Sequence, residues 1–195
     1  PRVVFAELVG QPGVEEHLVV RSRVGFLALH GGLEPGTAEL ARAAADGAGA
    51  SLYSVVQPEG LRWHIPAHEV VPLDVPALAR FLDHVDVVVS LHGYQRADLP
   101  TALLVGGANR VLAVELGARL RAALPDYVVV DDLATIPPDL RGVHPDNPVN
   151  LTRGGGVQLE LPHPVRSIGP YRDATYRRHT TALVDALAGY ATAAA

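Results

Sequence analysis

Residues 24–56 read VGFLALHGGLEPGTAELARAAADGAGASLYSVV, and the order of elements in this stretch decides the fold class. Val24–Leu29 is a short apolar run closed by His30 and two glycines, as a buried strand should be. Ala38–Ala45 reads as a helix, with Thr37 placed to cap its unpaired N–H groups. Ser51–Val56 is a second apolar strand. A strand, a helix and a strand in succession form the unit of a parallel sheet.

The same grammar continues outward. Further strands are predicted at Val85–Leu91, Thr101–Val105, Tyr127–Val130 and Val157–Leu161. Further helices are predicted at Val75–His84, Arg110–Leu124 and Asp173–Tyr190. The expectation is one α/β domain over residues 1–195, with a mostly parallel or mixed central sheet and helices on both faces. No internal repeat and no long linker divides it. Residues 137–156 hold four Pro and four Gly and neither period. A loop of that length inside a compact domain is often functional.

Composition narrows the chemistry. The 195 residues are 48% hydrophobic and 19% charged, which excludes a disordered chain. Cysteine is absent, so disulfides, thiolate nucleophiles and thiolate metal ligands are excluded. Lysine is absent too, which removes a P-loop lysine and a Schiff base; the 16 basic residues are all Arg. The net charge is −5 with no basic run, so nucleic acid is not an expected partner. No apolar segment reaches membrane-spanning length, and residues 1–10 lack a signal pattern; a cytoplasmic location is expected. The oligomeric state is left open. The nine His become the first candidates for chemistry.

Three segments concentrate those candidates. His30-Gly31-Gly32-Leu33-Glu34 follows the first strand, where parallel sheets bind ligands at strand carboxyl ends. Imidazole nitrogen and carboxylate oxygen both bind divalent metals, although Glu34 could equally face solvent at a helix start. Ser90-Leu91-His92-Gly93 repeats the pattern of a strand ending in His-Gly. Asn150-Leu151-Thr152-Arg153-Gly154-Gly155-Gly156 then leads into Val157–Leu161. Within that strand Gln158 and Glu160 share one face. A carboxylate buried there must be paired, near a metal or shifted in pKa, or else the strand is an edge and Glu160 is solvated. Tyr94 and Arg96 are placed to reach a cleft. His64 and His68 are weaker candidates. No nucleophile elbow and no dinucleotide fingerprint is present.

Taken in order, His30–Thr37, Ser90–Gly93, Gly106-Gly107 and Arg153–Glu160 resemble the poly-gamma-glutamate hydrolase family, zinc enzymes of carboxypeptidase-like α/β fold. Tyr53 and Leu61–Pro66 resemble the intervening family segment, and the resemblance spans Val24 to Arg166. It implies Zn²⁺ held by His30, Glu34 and His92, with Glu160 as general base. It implies attack by a metal-activated water on an amide carbonyl, with Arg153 helping to stabilise the oxyanion. A glutamyl substrate, small or polymeric, would call on Arg153, Arg96, Tyr94 and Asn150, with Arg166 as a further cation. The expected activity is cleavage of γ-glutamyl amide bonds. A carboxypeptidase or acyl-amino-acid deacylase on the same fold is the alternative. The interval from His30 to Glu34 is one residue shorter than the common family pattern, and this favours a third reading, a metal-free module that binds anionic peptides.

Overall fold

The computed structural model of the chain describes residues 4–166 and 174–194. Its strands are β1 (Glu15–Val19), β2 (Val24–Gly31), β3 (Ser51–Val56), β4 (Val87–Tyr94), β5 (Ala102–Val105), β6 (Val128–Val130) and β7 (Gly156–Pro162). Its helices are α1 (Phe5–Val9), α2 (Thr37–Ala48), α3 (Pro76–His84), α4 (Arg110–Ala123), α5 (His163–Arg166) and α6 (Ala174–Ala194). The expected start of the last helix, Asp173, lies outside the described residues. Within the described residues no helix is long and apolar enough to cross a membrane.

The strands form one seven-stranded mixed sheet in the order β1-β3-β2-β4-β7-β5-β6. The four central strands β3, β2, β4 and β7 are parallel, while β1 pairs antiparallel with β3, and β5 antiparallel with β7. Alternation along each strand splits the core in two. Phe26, Ala28, Val89, Leu91, Val157 and Leu159 face α2, α4 and α6. Leu27, Leu29, Tyr53 and Val88 face α1 and α3. Helices therefore cover both faces, as the alternating pattern predicts.

Two short elements escape the apolar pattern. β1 is the half-exposed edge strand Glu-Glu-His-Leu-Val, held by register with β3 and by the Tyr53 hydroxyl donating to Glu16 at 2.7 Å. α1 buries Phe5 and Leu8 in the core, with Ala6 and Val9 packed against it. The cap of α2 also differs from expectation. Thr37 is its first helical residue and its hydroxyl donates to the Glu34 carbonyl at 2.8 Å. Gly36 precedes it at φ 93°, a left-handed conformation in which any Cβ would also strike the Arg166 carbonyl.

β4 and β7 are the centre of the sheet, and Gly156 lets them approach the loop behind. A Cβ there would collide with the carbonyls of Val88 and Val149. We predict that Gly156→Ala destabilises the fold by about 1–3 kcal/mol. Urea unfolding would show this as a lower midpoint, and an unchanged midpoint would refute the close approach.

Candidate metal centre

The register of β4 and β7 sets Ser90 beside Gln158 and His92 beside Glu160. Their odd-numbered neighbours point into the larger core, so these four polar side chains share the opposite face. All four are buried. β2 delivers His30 to the same region. After it the chain turns at once: the Glu34 N–H donates to the His30 carbonyl at 2.8 Å. This turn sets the Glu34 carboxylate against its own imidazole, Oε1 lying 2.9 Å from Nδ1 of His30. The interval of four residues is thus matched to one turn of chain.

Glu34 joins two strands. Its Oε2 accepts the Gly93 N–H at 2.9 Å and stands 3.6 Å from Nδ1 of His92. The opposite ring nitrogens are anchored elsewhere: Nε2 of His30 lies 2.9 Å from the Ile65 carbonyl, and Nε2 of His92 lies 3.0 Å from the Ser90 hydroxyl. A carbonyl only accepts, so Nε2 of His30 carries a proton and Nδ1 of the neutral ring presents its lone pair to a carboxylate oxygen. Lone pairs facing each other need a cation or a proton between them. Such backing of metal-ligating imidazoles by carbonyls and hydroxyls is the usual second layer of a metal site. The donor set, two imidazoles and a carboxylate, fits a divalent metal of zinc type.

A third imidazole belongs to this group. The rings of His30 and His64 lie 4.9 Å apart, and one ligand atom each from His30, Glu34 and His64 fall within 4.8 Å of one another. The sequence marks His64 only by its Pro-bounded segment, since nothing local ties residue 64 to residue 30.

The electrostatics follow from packing. Burial alone would raise the Glu34 pKa, but His30 and His92 reverse this and hold it well below the usual carboxylate range. Burial alone would lower that of His30, but the Glu34 charge and the Ile65 carbonyl turn the net shift upward. Glu160 moves the other way. Burial and the Glu34 charge push its pKa well above the ordinary value, against a hydrogen bond from Gln158 at 2.9 Å and the charge of Arg166. Gln158 is in turn fixed by Asn147, whose amide donates to it at 2.8 Å. Glu160 is therefore buried in a central strand, not solvated on an edge.

These groups floor a cleft of about 620 Å³ walled by His64–His68 on one side and by Pro138–Asn147 on the other. The Pro- and Gly-rich loop is thus a wall of the cleft, carrying two short 3-10 turns, Pro138–Leu140 and Pro148–Asn150. The other expected site residues lie elsewhere. Arg153 is exposed before the start of β7, at the opposite edge of the sheet from Glu160, and lines a separate depression with Arg23 and Asp86. An oxyanion role for Arg153 is therefore corrected; parallel β4 and β7 carry it away from the strand ends that hold the site. Tyr94 is buried, its hydroxyl set on the carbonyls of Leu99 and Ala102 at 2.7 and 2.6 Å, and it is pushed up to about 12 by burial and by Glu160. Arg96 pairs with Asp98 and Asp139 at 3.6 and 3.5 Å, outside the cleft lining. Asn150 holds the wall: its amide donates to the carbonyls of Gly142 and His144, and its oxygen accepts the Ala108 N–H.

Arg166 is not a spare cation either. It is 5% exposed, and its guanidinium donates to the carbonyls of Leu161, Pro35 and Tyr94 at 3.0, 2.8 and 3.1 Å. Leu161 follows Glu160, Pro35 follows Glu34, and Tyr94 lies two residues past His92. One side chain ties together the three segments that carry the acidic and imidazole groups. Gly93 gives it room, since a Cβ there would meet the guanidinium.

With this geometry in place, comparison with known proteins is direct. A family model described as poly-gamma-glutamate hydrolase matches residues 7–192. The chain belongs to that family. A curated relative, the SPbeta prophage-derived UPF0714 protein YoqZ of Bacillus subtilis (strain 168), is 32% identical over 145 residues. That match covers 73% of this chain and 50% of the relative, so the chain spans about half the length of YoqZ. Among solved structures, the zinc-free YndL is 26% identical with a TM-score of 0.73, covering 89% of each chain. The bacteriophage poly-gamma-glutamate hydrolase is 24% identical with a TM-score of 0.70, covering 91% of this chain and 89% of that one. A metallo-carboxypeptidase from Burkholderia cenocepacia shares the fold at 12% identity and a TM-score of 0.52, over 97% of this chain and 68% of its own.

Substitutions at two positions test the architecture of the site. His92→Ala should abolish stoichiometric zinc uptake while the protein stays folded, as read by metal analysis after dialysis. Arg166→Met should cost about 3 kcal/mol, because it strands buried carbonyls and removes the counter-charge of Glu34 and Glu160. Arg166→Lys should recover little of this, since one ammonium cannot span three carbonyls.

Proposed function

We propose that the chain is a zinc-dependent amidohydrolase that cleaves γ-glutamyl bonds. One observation carries the reading: the carboxylate of Glu34 faces Nδ1 of both His30 and His92, and the buried Glu160 stands beside His92 in the sheet. Family membership and the name of the bacteriophage relative support the substrate class.

In this reading His30, Glu34 and His92 would hold the metal at the floor of the cleft. When bound, zinc supplies Lewis acidity, which lowers the pKa of water and polarises an amide carbonyl. Glu160 takes the proton of the attacking water and returns it to the leaving amine nitrogen, so proton and bond changes balance. Burial and the Glu34 charge lift its pKa from the ordinary carboxylate range towards that of an effective base. Gln158 orients the carboxyl group through its amide. His64 lines the cleft next to His30 and offers the imidazole donor to the carbonyl oxygen that Arg153 cannot.

Glu160→Gln tests the base and carries a stability signature. Hydrolysis of poly-γ-glutamate by the zinc-loaded protein should fall by about 10²–10⁴-fold. Zinc content should not change. A carboxyl group whose pKa is raised by folding loses the protein stability as pH climbs from its unfolded value through its folded one. The Gln variant lacks this loss, so its melting temperature should exceed that of the wild type by a margin that grows as pH rises above the ordinary carboxylate range. Retained hydrolysis would remove Glu160 as base. Zinc-loaded wild type that spares poly-γ-glutamate but trims the C-terminus of α-peptides would replace the substrate assignment.

A further inference from the structure

The mouth of the cleft has a chemistry that the metal centre does not explain. The carboxylates lining the cleft are Glu34, Asp139 and Glu160, and no arginine lines it among the described residues. Arg96 is paired with Asp139, and Arg166 is buried behind Glu34 and Glu160, so neither guanidinium is presented to a substrate carboxylate in the cleft. Two imidazoles face each other there from opposite walls. His68 stands on the 3-10 turn Ala67–Glu69 and His144 on the loop after Gly142. Their ring centroids lie 4.7 Å apart at an interplanar angle of 35°. Both side chains are about half exposed, at 47% and 50%.

Their hydrogen bonding leaves donors for a ligand. Nδ1 of His144 accepts the Asp146 N–H at 3.2 Å, so the neutral ring carries its proton on Nε2. Each ring has a carboxylate at the outer limit of ion pairing and beyond hydrogen-bond reach: Glu69 lies 3.9 Å from Nε2 of His68, and Asp146 lies 3.9 Å from Nδ1 of His144. The position of His144 is not left to chance, because Asn150 pins its carbonyl at 2.9 Å.

We propose that His68 and His144 form a carboxylate-binding site at the mouth of the cleft, which grips a free carboxylate of the glutamyl substrate. The proposal rests on the hydrolase reading for its substrate class. A carboxylate has two oxygens, and paired imidazole N–H groups from opposite walls suit one such group through charge-assisted hydrogen bonds. A γ-linked glutamyl chain carries one free α-carboxylate per residue. The pair thereby supplies selectivity for a charged chain over a neutral one, without any arginine.

The test compares γ-glutamylglutamate with its fully methyl-esterified form, on wild type and on His68→Gln, His144→Gln and the double variant. Binding is followed by imidazole NMR resonances, and turnover by the zinc-loaded protein. Wild type should bind the acid at least about tenfold more tightly than the ester, a difference of about 1.4 kcal/mol. Resonances of both His68 and His144 should shift with the acid only. The double variant should lose this preference through KM, with kcat, zinc content and ester affinity unchanged. Each single variant should lose part of it, which keeps the test decisive if the double variant folds poorly. Preference surviving in the variants, or resonances that do not move, overturns the proposal. If the acid binds with these shifts but is never cleaved, the hydrolase reading fails and the grip stands. If both forms are cleaved with equal KM, the grip fails and the hydrolase reading stands.

Discussion

The Glu34 carboxylate is the interaction on which the site depends. It is mostly enclosed, it faces two imidazoles, and it accepts the backbone N–H of Gly93. His30 comes from the end of β2, and His92 and Gly93 from the end of β4, so one side chain fixes the distance between the two strands where they leave the core. A lone buried carboxylate would be costly to ionise. Here the surrounding donors keep it charged, and that fixed charge then acts on its neighbours. It draws the His30 pKa upward and drives that of Glu160 the same way for the opposite reason. Three ionisable groups are tuned by one placement.

Arg166 completes the arrangement from behind. Among the described residues it touches no ring and no carboxylate through a hydrogen bond, yet its carbonyl partners sit next to the residues that matter. The division is clear in physical terms. Glu34 sets the spacing of side chains within the cleft, and Arg166 sets the spacing of the backbone that carries them. Because Gly93 and Gly36 both press against Arg166, small residues at these two positions are part of the same joint.

Much of this was legible in the sequence, and the boundary between what was and was not is physical. Apolar runs bounded by Gly or Pro marked six strands, because buried central strands must be apolar on both faces. β1 was missed because an edge strand can be polar and gives no such signal. His30, Glu34, His92 and Glu160 were found because each sits in a local pattern, a strand end or an alternating strand. His64 and His68 stood only as weaker candidates and His144 as none, because what brings them to the cleft is the folding of loops over the sheet. Arg153 was misplaced for a related reason. Glycine-rich sequence next to a strand does not say which end of the sheet it occupies; the direction of β7 does, and that is a property of pairing with β4.

The tether made by Asn150 has a consequence for how such a molecule can change over time. The candidate metal donors His30 and His92 sit on central strands, and Glu34 sits in the tight turn that follows β2. The wall that faces a substrate is a loop, tethered in large part by the Asn150 amide, whose three partners are all backbone groups. Backbone partners persist whatever side chains the loop carries. The exposed side chains of the loop, such as Val143, His144 and Asp146, can therefore be exchanged while the tether still holds the loop in place, whereas Gly142 and Asn147 are held by their contacts with Gln158. Inheritance of the reaction and inheritance of the preference are thus separable in this chain, and a family can keep the first while repeatedly rewriting the second.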